Sequence, residues 1–293
     1  MRISSKKKYL FFSSLMVSLV FFTYVYLHNF NDDNSKIHRT DLVVHFIDVG
    51  QGDCVLVQAR DKNLLIDSGS NSSSKKVIHY INKLKIKKID YVIATHPHED
   101  HIGAMDDILK NFEIEAFYAP KVTSSAKDFT NLVKELANKN KKISILKSGM
   151  HIKIYSDINL EVLSPKKDTY ENINNYSPVI QLNFNEIKFL FTGDSEKVIE
   201  EELLLNHINL SSQVLKVGHH GSKTSTSVDF LNKVNPMYAV ISCGLGNDYG
   251  HPDSNVIKLL KEKDIKIFRT DKDGNILLYS DGKTLLYSTI HNK

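Results

Sequence analysis

Two hydrophobic periods alternate along this chain. Residues 42–48 read as a strand, 50–53 as a tight turn built on Gly50 and Gly52, and 54–58 as the returning strand of a hairpin. A third strand over 63–67 ends in Asp67-Ser68-Gly69. The period then changes. Val77, Ile78, Ile81 and Leu84 share one face of a helix over 75–84. A buried strand over 89–94 precedes a helix over 102–110, a strand over 114–119 and an amphipathic helix over 126–138; several short strands fill 143–163. The second half repeats the scheme, with strands over 179–184, 187–192, 213–217 and 237–242 and helices over 196–205, 227–233 and 254–263. Two closing strands occupy 265–289. Strands and helices that alternate in this way predict an α/β fold of two mixed sheets packed together with helices on the outer faces.

Residues 1–28 stand apart. Arg2 and Lys6-Lys7-Lys8 precede an uncharged apolar run of 19 residues, from Tyr9 to Leu27. That approaches the roughly 20 residues needed to span a bilayer, with the basic side cytoplasmic and the remainder outside. No small-residue cleavage site follows it, so an uncleaved signal anchor is expected, with a cleaved signal peptide and secretion as the rival. Residues 29–40 read as a polar linker, and 41–293 as one domain. The net charge of +4 neither demands nor excludes nucleic acid. Two cysteines, Cys54 and Cys243, each inside an apolar run, read as buried free thiols rather than a disulfide and exclude a cysteine-based metal site.

Chemistry concentrates where buried strands end. Thr95-His96-Pro97-His98-Glu99-Asp100-His101 packs three histidines and two carboxylates directly after an apolar strand. Desolvated ionisable groups need a partner, and a divalent cation satisfies imidazoles and carboxylates at once. Asp67, Asp194, the pair His219-His220 and His251 lie at or near further strand ends, and in open α/β sheets ligands bind at the carboxyl ends of strands. Two metal sites are expected. His96, His98 and Asp194 hold the first; Asp100, His101 and His220 hold the second, with Asp194 bridging. Ions about 3.5–4 Å apart share a hydroxide that is a nucleophile at neutral pH.

These motifs resemble those of a known family. His96-Pro97-His98-Glu99-Asp100-His101 matches the HxHxDH motif of the metallo-β-lactamase superfamily. Residues 46–53, 65–69, 191–194, 215–222 and 249–252 are similar to the hydrolase domain of ComEC competence proteins, and the likeness runs from about residue 42 to 290. The resemblance implies an αβ/βα four-layer sandwich, a dinuclear zinc or manganese centre and phosphodiester cleavage, with DNA as the substrate proposed for the full-length transporters. Many superfamily members place a further ligand histidine where this chain reads Asn174-Asn175-Tyr176-Ser177-Pro178-Val179. The first site is therefore short of protein ligands and its ion expected to be weakly held.

Other residues carry paired readings. Asp67 either caps a turn or orients a ligand histidine, and Ser177 is a second candidate for that orienting role. Adjacent side chains diverge, so His220 is expected on metal and His219 on substrate. Asp100, His219 and His251 are the expected catalytic residues, His251 having a structural turn as its alternative. Residues 221–226 are rich in donors before a helix; Ser222 and Lys223 either bind an anionic group at its N-terminus or merely begin a capped helix. Asp48 and Asp53 are read as turn residues. The activity expected is a membrane-anchored, extracytoplasmic phosphodiesterase or nuclease. A cell-wall phosphodiesterase of the teichoic-acid type, or a degenerate binding module of a surface assembly, stand as alternatives. The expected partners are the membrane, through residues 1–28, and a phosphodiester substrate, DNA included.

Overall fold

The computed structural model describes residues 41–291; the expected anchor and linker, residues 1–40, lie outside them. The chain opens with the hairpin β1 (Leu42–Phe46) and β2 (Val55–Ala59), continued antiparallel by β3 (Lys62–Ile66). From β3 the pairing turns parallel, through β4 (Lys88–Ile93), β5 (Glu113–Pro120) and β6 (Ile143–Leu146). Parallel neighbours require crossovers, which α1 (Ser74–Lys83), α2 (Glu99–Ile102), α3 (Met105–Asn111) and α4 (Lys127–Asn138) supply. The second sheet mirrors this plan. Strands β7 (His151–Lys153), β8 (Ile158–Val162), β9 (Ile180–Phe184) and β10 (Ile187–Phe191) pair antiparallel. Then β11 (Val214–Lys216), β12 (Tyr238–Ile241) and β13 (Lys266–Arg269) add in parallel, linked by α5 (Lys197–Leu205), α6 (Val228–Val234) and α7 (Ser254–Glu262).

The end of the chain departs from expectation. Instead of two closing strands there are three, with the short helix α8 (Thr270–Asp273) after β13. Strand β13 stays in the second sheet, whereas β14 (Asn275–Ser280) crosses to pair with β1, and β15 (Leu285–Ile290) pairs with β14. The order of the first sheet is thus β15-β14-β1-β2-β3-β4-β5-β6 and of the second β13-β12-β11-β10-β9-β8-β7. The helix expected over 102–110 is also broken: α2 precedes it, and Gly103 lies so close to the backbone of Asn71 that a Cβ there would come within 2.4 Å of the Asn71 nitrogen.

Three apolar layers of core hold the sandwich. Phe46, Val57 and Ile66 of the first sheet meet Leu160, Phe184, Phe189 and Phe191 of the second between the sheets. Val77, Ile81, Ile108 and Leu132 seal helices onto the outer face of the first sheet; Ile199, Leu203, Phe230 and Leu260 do so on the second. Each fully buried Phe or Leu among them contributes about 2 kcal/mol. This is the four-layer αβ/βα arrangement. Both cysteines are free and buried, as expected.

Candidate metal centre

Three backbone interlocks bring the strand ends together. Asp53 N donates to Asp100 O, Asp67 N to Ile93 O and Ser68 N to His101 O. Gly52 makes the first of these possible. It sits at φ +129°, and a Cβ there would lie 2.2 Å from the Asp100 oxygen. Gly193, at φ +49°, likewise lets the turn before Asp194 press against Ser177. The His219-His220 pair is held with both residues at positive φ, 48° and 54°. Neither is glycine, so this turn stores strain of the kind that marks functional sites.

Asp194 Oδ2 is the hub. His101 Nε2 lies 3.3 Å from it, His220 Nε2 3.5 Å, His219 Nε2 3.6 Å and His96 Nε2 3.9 Å. His220 Nε2 also lies 3.2 Å from Asp100 Oδ2. Asp100, His101, Asp194 and His220 therefore gather as one cluster of potential ligand atoms, as the sequence indicated for the second site. On the other side, His96 Nε2 and His98 Nδ1 face each other at 2.9 Å. The residues expected at the first site are thus adjacent, though the described residues show no histidine beside them from the segment after Asn172.

Three of the imidazoles, His101, His220 and His96, are turned by a partner on Nδ1. His101 Nδ1 is 2.7 Å from Asp67 Oδ2, and Asp67 is itself held by the Thr95 amide and hydroxyl at 2.8 and 2.7 Å. His220 Nδ1 donates to Ser242 O at 3.0 Å. Ser177 Oγ contacts His96 Nδ1 at 3.2 Å and accepts from the Asp194 amide. Asp67 and Ser177 therefore both occupy orienting positions, and in each case Nε2 is left aimed into the site.

The electrostatics are those of an anionic pocket. Burial disfavours charge on His101 and His220, but Asp194 with Asp67 at the first, and Asp194 with Asp100 and Asp53 at the second, outweigh it and hold both pKa values well above the ordinary imidazole range. Burial would raise Asp194; His101 and His220 overcome it and hold the carboxylate well below its usual range. Burial and the neighbouring His101 keep His96 neutral, the form that binds metal. The fit to a cation rests on unpaired atoms: His101 Nε2, His220 Nε2 and Asp194 Oδ1 are buried with no hydrogen-bond partner. Buried polar atoms of that kind are costly unless something binds them.

A cleft of about 350 Å³ opens onto this cluster, lined by Gln51, His98, Glu99, Asp100, Asn174, Asp194, His219, His220, Tyr249 and His251. His219 and His251 stand together on its wall, ring centroids 5.6 Å apart. Ser222 and Lys223 do not line it. Ser222 bonds to Thr224, and Lys223 borders a different groove beside α6. The anion expected at that helix start is internal: the Glu200 carboxylate accepts from the amides of Thr226 and Ser227, and Ser227 caps α6.

Two residues of the site were not legible as such. Asp53, read as a turn residue, is buried 3.5 Å from His220 Nδ1 and paired with Lys216 at 2.9 Å. The available signal was Lys216 itself, a lone charge inside the apolar run Val214-Leu215-Lys216-Val217. Asn174 enters the cleft with its Nδ2 3.4 Å from His219 Nε2 and its Oδ1 buried without a partner.

The model of the Metallo-beta-lactamase superfamily matches residues 47–245. Among curated proteins, ComE operon protein 3 of Bacillus subtilis (strain 168) is 33% identical over 251 residues, covering 80% of this chain and 32% of that protein. Competence protein ComA of Neisseria gonorrhoeae is 31% identical over 240 residues, covering 81% and 32%. The chain thus spans about a third of the length of these relatives. Among solved structures, the metallo-beta-lactamase fold protein YhfI from Bacillus subtilis aligns with a TM-score of 0.56 at 12% identity, covering 82% of this chain and 100% of that one.

Proposed function

The chain belongs to the metallo-β-lactamase superfamily, and on that premise we propose that it is a metal-dependent hydrolase of phosphodiester bonds. The observation that carries this reading is the convergence of imidazole Nε2 atoms on Asp194 Oδ2, with buried atoms left unpaired inside the cluster. His96, His98 and Asp194 would hold one cation; Asp100, His101, His220 and Asp194 would hold the other. Divalent cations held there would supply Lewis-acid polarisation of a phosphoryl oxygen and a nucleophile at neutral pH.

The chain's own residues do the rest. Asp67, through His101, and Ser177, through His96, fix which nitrogen each ring offers. His219 is the nearer of the two wall histidines to Asp194, and it is well placed to hand a proton to the leaving oxygen. Asn174, against His219, orients that ring. A relative named a competence protein, together with the DNA substrate that the family resemblance implies, makes DNA the first polymer to try.

The test is turnover of bis(4-nitrophenyl) phosphate, then of single-stranded DNA, by the purified full chain supplied with zinc or manganese. Metal-dependent cleavage supports the proposal. Bound metal without cleavage of any diester overturns it and favours a binding role.

A further inference from the structure

We propose a second, basic subsite beside the metal cleft, which takes the backbone of a linear phosphodiester polymer. It is a groove of about 230 Å³ lined by Lys121, Lys147, Lys166, Lys167, Asp168 and Tyr176 among others. Its lysines are placed by the fold. Pro120 and Leu146 are register partners at the carboxyl ends of parallel β5 and β6, so Lys121 and Lys147 leave the sheet side by side. Neighbouring strands are about 4.8 Å apart, which sets the two positions close together. The Ser148 amide then donates to Pro165 O at 2.9 Å, which fastens Lys147 next to Lys166.

The charge there is only partly neutralised internally. Lys167 pairs with Glu202, and Lys121 reaches Asp168 only at 4.0 Å. Lys147 and Lys166 are exposed and have no carboxylate partner among the described residues. With Lys167 held by Glu202, Lys121, Lys147 and Lys166 still line the groove against the one lining carboxylate, Asp168; that net positive charge disfavours a cation and favours an anionic chain.

The groove adjoins the metal cleft. Strand β4, which delivers His96, is the parallel neighbour of β5, and its Ala94 amide bonds to Tyr118 O. The turn Ile173–Tyr176 separates the two spaces: Asn174 lines the cleft, Tyr176 lines the groove, and Ser177 touches His96. A chain with one linkage in the cleft can run over this turn and set its next phosphates among the lysines. The polymer's identity as a substrate rests on the hydrolase reading; the groove's affinity for it does not.

The experiment measures fluorescence anisotropy with the full chain, a labelled single-stranded oligonucleotide and a labelled glycerol-phosphate oligomer across a salt series. The comparison is the parent chain with Lys147→Gln/Lys166→Gln. Loss of two phosphate contacts lowers the log–log salt slope on the oligonucleotide by about 1.4 and weakens low-salt binding by about tenfold. Lysine-dependent binding of DNA alone identifies nucleic acid as the source of the backbone. Dependence with glycerol phosphate alone identifies a wall-type polymer, and dependence with both shows that only the shared phosphodiester is read; each supports the proposal. Absence of binding to either, or binding whose slope the variant leaves unchanged, overturns it. Turnover of the small chromogenic diester by the parent chain is scored separately: turnover alongside lysine-independent polymer binding sinks the groove alone, while lysine-dependent binding without turnover of any diester sinks the hydrolase reading and leaves the groove standing.

Discussion

Lys216 Nζ lies 2.9 Å from Asp53 Oδ2, with the two side chains only 1% and 5% exposed. The ammonium has one other acceptor, Val217 O at 2.9 Å. Burial alone would raise the Asp53 carboxyl, but Lys216 and then His220 outweigh it and bring its pKa down to about 2. A permanent carboxylate therefore stands behind the imidazole of His220. Removing one partner of a buried pair strands the other charge, at a cost of about 3–5 kcal/mol. Lys216→Met is expected to lower the denaturation free energy by that order, and Lys216→Met/Asp53→Asn by clearly less. Urea titration of the four chains of the cycle checks this; additive losses would show that the pair is not coupled.

Asp67 touches His101 Nδ1 directly and reaches His96 Nδ1 through the Thr95 hydroxyl. Asp67→Asn keeps the size of the side chain but can present an amide where the ring needs an acceptor. Metal affinity is expected to fall about 10–100-fold with the fold retained. Isothermal titration with zinc reads the affinity and circular dichroism reads the fold. Unchanged affinity would return Asp67 to the plain turn role.

Gly52 is the contact between the first hairpin and the Asp100 loop. With no room for a Cβ and φ at +129°, Gly52→Ala must displace Asp100. The expected result is loss of metal binding together with a lowered melting temperature. Gly50→Ala is the matched control: it also lies at positive φ, 78°, but in open space. Equal effects of the two would mean that backbone strain alone, not the close approach, is at work.

His45 gives a pH dependence away from the metal cluster. Its Nε2–H donates to Gln58 Oε1 at 3.0 Å and its Nδ1 accepts from the Tyr80 hydroxyl at 2.8 Å, as the network assigns the tautomer. Burial lowers its pKa to about 4. Below an unfolded value near 6.5 the unfolded chain binds the proton and the folded chain does not. The stabilisation is therefore complete above about pH 6.5 and is lost as the pH falls toward 4, by about 3 kcal/mol at most. Thermal melts of the parent between pH 5 and 7.5 are expected to steepen relative to His45→Gln; parallel curves would contradict this.

What could be read without a structure follows a physical division. His96, His98, Asp100 and His101 stood out because buried strands seldom end in so many ionisable groups, and local periodicity located α1, β4 and α4 within a residue or two. Pairing of β14 with β1 was hidden, because nothing local connects residue 276 to residue 46. Asp53 was hidden for the same reason: its partner lies 163 positions on, and only the sheet-to-sheet packing makes the two meet. A donor-rich segment before a helix looks alike whether its anion is external or internal; here the amides of Thr226 and Ser227 are taken by Glu200, which no local pattern announces.

The most direct test of the central claim is diester turnover by the full chain, stripped with chelator and then titrated with zinc or manganese. The stripped chain is expected not to cleave bis(4-nitrophenyl) phosphate, and the rate to rise with added metal and saturate at about two equivalents. Asp194→Asn should remove both the uptake and the rate. Metal uptake at that stoichiometry with no cleavage of any phosphodiester, or cleavage that survives both chelation and loss of Asp194, would contradict it.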